Sequence, residues 1–405
     1  MKLKESEYTQ KRKVECCLKT FFRDLAEAIG QYIRYVDKTL LFLCALTTAY
    51  GIVLIYSATY SFETLQYVKT QTLAAVIGIV VYLFAACINI EWITKHWGFL
   101  FAANLLLIGS LFFFSSGDNN SNWIYIKKIG LSFQPAEIGK VIFILTFARH
   151  LYSCSDEVSS VKNVFLLLLH VGITAGAVIL FSKDDGMTLA YLFIALIMAF
   201  AAGIRYRWFL AGGITAAAAI PLLWTYFLDE YQKLRILVVL DPTIDPAKAY
   251  QANQSKIALS SGLLTGKGFL QGTQTQYSLI PTKHTDSIFA VAGEEFGFVG
   301  TLAIILLLTF IILRCFYCAA RSVDSPSGSI ATGLGAMLIF QTLLNIGMNM
   351  GILPIIGLTL PFISYGGTSL VTMYAAMGIV AGIRMREKRD RRRQRESSFS
   401  RSVYN

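Results

Sequence analysis

Pro281-Thr282-Lys283-His284-Thr285-Asp286-Ser287-Ile288-Phe289 marks where the longest polar stretch of the chain gives way to an extended apolar run. Polar residues dominate from about Asp229 to Ser287, and the apolar run covers about 288–314. A helix needs about 20 such residues to cross the hydrocarbon core of a bilayer. Similar runs recur at about 39–58, 71–90, 97–115, 136–152, 163–181, 187–203, 208–228, 328–350 and 368–385. Of 405 residues 55% are hydrophobic and only 15% charged, with a mean hydropathy of +0.55, which argues against a soluble globular domain. The expected fold class is all-α. It is a polytopic integral membrane protein of about ten transmembrane helices, with a long extracytoplasmic loop (229–287) between spans 7 and 8.

Lys and Arg placement orients such a bundle. With the N-terminus in the cytoplasm, most of the 36 Lys and Arg fall on cytoplasmic segments, including Arg205 and Arg207 in one of the shortest connections. Ten spans return the C-terminus to the same side. The net charge of +11 therefore reports orientation, with anionic lipid as its partner and no reason to invoke nucleic acid. Residues 1–37 form an N-terminal extension in which Val14, Cys17, Leu18, Phe21, Leu25 and Ile29 recur at helical spacing. That pattern suits an amphipathic helix on the cytoplasmic membrane surface, or one that binds a partner. Residues 38–385 make the membrane domain and 386–405 a basic cytoplasmic tail. None of the seven cysteines falls in an outer loop, so no disulfide framework is expected. Cys315-Phe-Tyr-Cys318 lacks a second pair and reads as helix-end packing.

Phe133-Gln134-Pro135-Ala136-Glu137-Ile138-Gly139-Lys140 opens a helix. Pro135 suits its first turn, and Glu137 complements the positive end of its dipole. Lys140 either snorkels outward or pairs with an anion. Gly262-Leu-Leu-Thr-Gly266-Lys267-Gly268 fails as a phosphate loop because its glycines are one residue too close and no Ser or Thr follows the Lys. Its glycines suit tight turns in a re-entrant or surface segment. Asp286 has two readings. It is the cap of the next helix or a general base whose pKa is raised by partial desolvation, and the two roles are compatible. His284 beside it gives only a weak dyad pattern. Glu294 and Glu295 sit inside the apolar run, where a charged group costs roughly 2.5–3.5 kcal/mol. They need a polar cavity, or cations such as Arg235, Lys140 or Lys256. Carboxylates and cations around one cavity suit a phosphate-bearing substrate, with a hard divalent cation as a candidate. The Gly- and Pro-rich stretch Asn345–Ser369 must be buried in protein or line a cavity. Ser364 to Ser369 are expected to face the same cavity as Asp286.

Four motifs now stand in order: Phe133-Gln-Pro-Ala-Glu137 with Lys140, Arg235 with Leu240-Asp241-Pro242, His284-Thr-Asp286 with Gly293-Glu-Glu-Phe-Gly297, and Leu360-Pro-Phe-Ile-Ser-Tyr-Gly-Gly-Thr-Ser369. Over about 40–385 they resemble the SEDS family of shape, elongation, division and sporulation proteins (RodA, FtsW, SpoVE). The resemblance implies a ten-span peptidoglycan glycosyltransferase of the bacterial cytoplasmic (inner) membrane, with both termini cytoplasmic. Such an enzyme polymerises lipid II on the outer face, alongside a class B penicillin-binding protein as transpeptidase. It implies that Asp286 is the catalytic base. It further implies that Lys140, Arg235 and a divalent cation (Mg or Mn) compensate the undecaprenyl diphosphate leaving group, and that Trp123 shapes the sugar site. Gln134, Glu137, His284 and Ser364 complete the implied substrate-binding set.

The chain departs from the family pattern at Thr282 and Ser287, where Glu and Phe are usual, and at Ala136, where Ser is usual. Lys183-Asp184-Asp185-Gly186-Met187 replaces the usual Pro-Asp-Leu-Gly-Thr and leaves Asp184 as the matching aspartate. The Asn349 and Leu353-Pro354 region leans toward RodA over FtsW. Two rival readings are a lipid II flippase or other transporter, which moves the substrate unchanged, and a scaffold that recruits a synthase through its termini.

Overall fold

A computed structural model of the chain describes residues 36–114, 122–126, 131–322 and 325–403. The amphipathic N-terminal segment lies outside the described residues up to position 35. The longer helices are α1 (Lys38–Tyr60), α2 (Gln66–Cys87), α3 (Trp97–Gly109), α4 (Pro135–Ser153), α5 (Val161–Ala177), α6 (Asp185–Ala201) and α7 (Tyr206–Leu222). Then follow α8 (Glu230–Leu240), α9 (Pro246–Ser261), α10 (Ile288–Ala320), α11 (Ser325–Asn349) and α12 (Gly367–Val403). Among the described residues eight helices are long and apolar enough to cross a membrane: α1, α2, α3, α5, α7, α10, α11 and α12. The two other expected spans are also helical. α6 is apolar but only 17 residues long, and α4 carries Glu137, Lys140 and Arg149.

One feature lies outside the all-α expectation. β1 (Ile124–Ile126) and β2 (Leu131–Phe133) pair antiparallel, with Ile124 opposite Phe133. Three residues per strand are too few for alternation to show in the sequence. The helix starts follow their capping chemistry. Asp37 accepts from the Leu40 N–H, Asp184 from that of Met187, and Asp245 from that of Lys248 with Pro246 at the first helical position.

α10, α11 and α12 form the centre of the bundle, with α1 and α2 on one side and α4 and α6 on the other. α12 continues without a break into the basic segment, so membrane helix and tail are one element. α7 lies at the periphery and buries none of its side chains. Cys315 and Cys318 are buried free thiols, with Cys315 Sγ 3.7 Å from Met377 Sδ, in keeping with packing at the helix end.

α10 is two helices joined at Gly297, whose φ of 64° and ψ of −157° only glycine adopts readily. A break inside a membrane helix frees backbone groups that lipid cannot satisfy. The Gly262–Gly268 segment satisfies them. The carbonyls of Leu263 and Leu264 accept from the N–H groups of Phe298 (2.8 Å) and Val299 (3.1 Å). The N–H groups of Lys267 and Gly268 donate to the carbonyls of Glu294 (2.9 Å) and Glu295 (3.0 Å). A Cβ on Gly262 would lie 1.8 Å from the Gly293 carbonyl oxygen, so this glycine serves close backbone approach as well as a turn.

The two glutamates of α10 fasten the same loop. Glu294 accepts from Lys267 Nζ (2.8 Å), from the hydroxyls of Thr273 and Thr275, and from the N–H groups of Gln274 and Thr275. Glu295 accepts from Ser57 Oγ (2.6 Å) and Gln276 Nε2 (3.1 Å). The cation of Glu294 is thus Lys267. The expected partners Arg235, Lys140 and Lys256 lie elsewhere, because the Gly297 break docks the Lys267 loop directly onto this carboxylate.

Candidate active site

Residues 284–286 are gripped by their backbone. The His284 carbonyl accepts from the Tyr365 N–H (2.9 Å), and that of Thr285 from Ser364 Oγ (2.6 Å). The Asp286 carbonyl accepts from Asn345 Nδ2 (3.0 Å) and Asn349 Nδ2 (2.8 Å). Asn345 also donates to the Leu358 carbonyl (2.7 Å), which ties the clamp to the chain beyond α11. Gln71 of α2 supports the opposite side, donating to the Ser364 carbonyl and accepting from the Gly366 N–H. Thr282 (φ 47°) and Phe362 (φ 64°) hold left-handed backbone on either side of the clamp, a strained conformation for side chains with a Cβ.

The clamp leaves the Asp286 side chain free. The half-buried carboxylate accepts no hydrogen bond from any described residue, and Gly357 approaches it closely enough that a Cβ there would lie 3.8 Å from Oδ2. The capping reading is not realised. Ser287 occupies the cap position of α10 and makes no side-chain cap bond, because its hydroxyl takes Gln251 Nε2 (3.2 Å) instead. Burial, reinforced by the charge of Asp184, pushes the Asp286 pKa up to about 6. Asp184 is saturated by comparison: Oδ2 accepts from Gln134 Nε2 (2.9 Å) and Asn122 Nδ2 (3.1 Å), and Oδ1 from the Met187 N–H (2.9 Å). Burial still raises its pKa, opposed by those bonds.

The other predicted residues fall into place with several corrections. Of the two readings of Lys140, pairing with an anion holds and snorkelling does not. The lysine is fully buried and pairs with Glu137 Oε1 at 3.0 Å, which Gln341 also approaches (3.4 Å). The two side chains are one helical turn apart, so Glu137 is the nearest anion within reach. Lys140 therefore lacks the open face a leaving group would need. His284 makes no bond to Asp286, and the dyad is absent. Its ring packs against Tyr67 (4.9 Å between centroids), Tyr365 (5.7 Å) and Phe62 (5.9 Å), with Nδ1 buried and unpartnered. Burial and the Lys283 ammonium hold its pKa below the usual imidazole value, so the ring is neutral. Ser364 Oγ is committed to backbone, donating to the Thr285 carbonyl and accepting from the Leu360 N–H (2.8 Å). It positions the Asp286 segment. Trp123 lies half-buried just before β1, beside the Asn122 that holds Asp184.

Arg235 lies on α8. Its guanidinium sits 4.4 Å above the Tyr231 ring and donates to Tyr231 Oη (2.7 Å). With Lys248, Lys256, Gln251 and Pro281 it lines a cavity of about 340 Å³. Lys248 is shared with Asp245 (3.4 Å), whereas Lys256 forms no ion pair among the described residues. Three cations therefore line a cavity whose wall includes Pro281, in the same loop as Asp286. Sequence reasoning missed the asparagine clamp and Lys248. Two asparagines four apart in an apolar helix were the available signal, since polar groups at that depth need partners on one face.

Known proteins resemble this chain in sequence and fold. The family described as cell cycle proteins (FtsW/RodA/SpoVE) matches residues 37–389. The peptidoglycan glycosyltransferase MrdB of Escherichia coli (strain K12) is 32% identical over 359 residues, covering 87% of this chain and 95% of that protein. A probable peptidoglycan glycosyltransferase FtsW of Geobacter sp. (strain M18) is 32% identical over 364 residues, covering 86% and 97%. Among solved structures, a chain of a peptidoglycan synthase complex that coordinates polymerization and crosslinking superposes with a TM-score of 0.75 at 28% identity, covering 87% of this chain and 98% of that one. The rod shape determining protein RodA of Thermus thermophilus superposes with a TM-score of 0.65 at 25% identity, covering 86% and 96%. With relatives matched over nearly their whole length and a family match spanning α1 to α12, the chain belongs to the FtsW/RodA/SpoVE family.

Proposed function

We propose that this protein is a peptidoglycan glycosyltransferase that polymerises lipid II on the outer face of the bacterial cytoplasmic membrane, in elongation, division or sporulation. In this reading both termini are cytoplasmic and a class B penicillin-binding protein crosslinks the product. The observation that carries it is the free carboxylate of Asp286, held by its own backbone and raised toward neutrality. A base needs that combination, since its pKa must lie near the working pH and its oxygens must be open to the acceptor. Asp286 takes the proton from the GlcNAc 4-hydroxyl of the acceptor. That oxygen attacks the MurNAc anomeric carbon of the donor, the bond to the diphosphate breaks, and undecaprenyl diphosphate leaves with inversion. Arg235, Lys248 and Lys256 meet the diphosphate charge in the adjoining cavity. Gln134 and Asn122 fix Asp184, whose charge keeps Asp286 basic.

Among the described residues no Mg or Mn cage is built from protein ligands alone, so an ion would need the substrate diphosphate as well. Among the described residues no three His, Cys, Asp or Glu side chains converge, and Asp184 already accepts three hydrogen bonds. No step is therefore routed through a metal. The test is purified protein with lipid II, wild type against Asp286→Ala, with glycan chains resolved on a gel. Wild type should give a ladder and the variant none. A ladder from the variant would remove Asp286 from the chemistry, whereas no ladder from wild type would favour transport or scaffolding.

A further inference from the structure

At the end of α10 farthest from Asp286, three guanidiniums surround one tyrosine. The Cζ atoms of Arg314, Arg321 and Arg384 lie 4.9, 4.8 and 4.9 Å from the centre of the Tyr317 ring. Arg384 Nη2 also donates to Tyr317 Oη (3.2 Å). Two carboxylates offset part of this charge. Asp37 takes Arg314 Nε (2.8 Å) and Nη2 (3.1 Å), while Glu387 is shared by Arg384 and Arg391. Four guanidiniums thus meet two carboxylates. Arg321, exposed at the C-terminal cap of α10, forms no ion pair among the described residues. Arg384 Nε is buried without a hydrogen-bond partner.

Like charges gathered on one ring repel, and the ring cannot neutralise them. An anion seated between Arg321 and Arg384 would, and the planar forks of Arg match phosphate oxygens two at a time. The source of that phosphate follows from place. The cluster lies where apolar α10 and α12 turn basic, so a bilayer covering their apolar stretches would set it among the lipid headgroups, and Phe310 and Leu313 stand 53% and 56% exposed one to two turns back along α10. They offer a surface for an acyl chain beneath the headgroup. We propose that the Tyr317 cluster is a binding site for the phosphate of an anionic phospholipid.

The experiment is native mass spectrometry of the full chain titrated with phosphatidylglycerol, comparing wild type, Arg321→Gln and Arg207→Gln. Both arginines are exposed, so neither change threatens the fold, and Arg207 lies on α7 away from the cluster. Arg321→Gln should weaken the tightest phosphatidylglycerol site about fivefold, the effect of one cation near an anionic headgroup. Arg207→Gln should leave it unchanged. Phosphatidylcholine should bind more weakly, and inorganic phosphate in large excess should not displace phosphatidylglycerol. Equal loss in both variants, no loss in Arg321→Gln, equal affinity for phosphatidylcholine, or displacement by inorganic phosphate would each overturn the proposal.

Discussion

Asp286→Asn exchanges one oxygen for an amide and leaves intact every bond that holds residue 286, because Asn345 and Asn349 grip its carbonyl rather than its side chain. Two effects of opposite sign follow. A general base contributes about 10²–10⁴ in rate, so polymerisation should fall by at least about a hundredfold. The fold, however, should gain stability. Burial and Asp184 lift the carboxyl from 3.8 to about 6 in the folded chain. Between those values the folded state holds a proton that the unfolded state has lost. Stability therefore falls as pH rises through that window, and the penalty is complete above about 6. Two units correspond to about 3 kcal/mol. Water on the open side of the half-buried carboxylate screens part of this and leaves about 1–2 kcal/mol.

The assay pairs lipid II polymerisation with melting in the same detergent across pH. The wild-type rate should drop about tenfold per unit below about pH 6. Asp286→Asn should melt above wild type near neutral pH and converge with it near pH 4. The reasoning is refuted if the variant polymerises at close to the wild-type rate, if the acid limb lies near pH 4, or if the variant melts below wild type at neutral pH.

Other perturbations test the supports of the site. Lys140→Met strands the buried Glu137 carboxylate and should cost about 3–5 kcal/mol, read as lost folded yield; adding Glu137→Gln should restore most of it. Gly297→Ala forces a Cβ into φ 64°, 2.3 Å from the Gly266 nitrogen, and should cost at least about 1–3 kcal/mol in thermal stability. Hydrogen exchange should show residues 262–268 loosening with it. Lys256→Gln should lower kcat/KM for lipid II and flatten its salt dependence, whereas an unchanged kcat/KM would contradict a diphosphate-binding role.

The sequence carried the helices well, because span length and apolar composition are local properties. α1, α10 and α11 begin within about three residues of the apolar runs that announced them. Local spacing also held the answer for Lys140, whose anion sits three residues earlier on the same helix face. What it could not show is choice among distant partners. The groups that grip Thr285 and Asp286 lie 59 to 79 residues away in sequence, and nothing near Asp286 names them. The break at Gly297 was hidden for a related reason. Gly293-Glu-Glu-Phe-Gly297 reads as a continuous helix until the Gly262–Gly268 segment arrives to take its freed backbone groups.

That distance also explains why Asp286 does not take the capping role that the sequence allowed it. A capping aspartate must turn its carboxylate back onto the first N–H groups of its helix. Here the carbonyls of 284, 285 and 286 are each held from outside, which fixes the backbone direction before α10 begins. Ser287 takes the cap position and its hydroxyl accepts from Gln251, so the helix starts without a side-chain cap, at a cost of about 1 kcal/mol. The Asn345 and Asn349 bonds offset that loss, since the amide groups bind main chain that lipid would leave unsatisfied. An aspartate recruited as a cap spends its carboxylate on helix N–H groups, as Asp184 does with that of Met187. Held only by its carbonyl, Asp286 stays unsatisfied and basic.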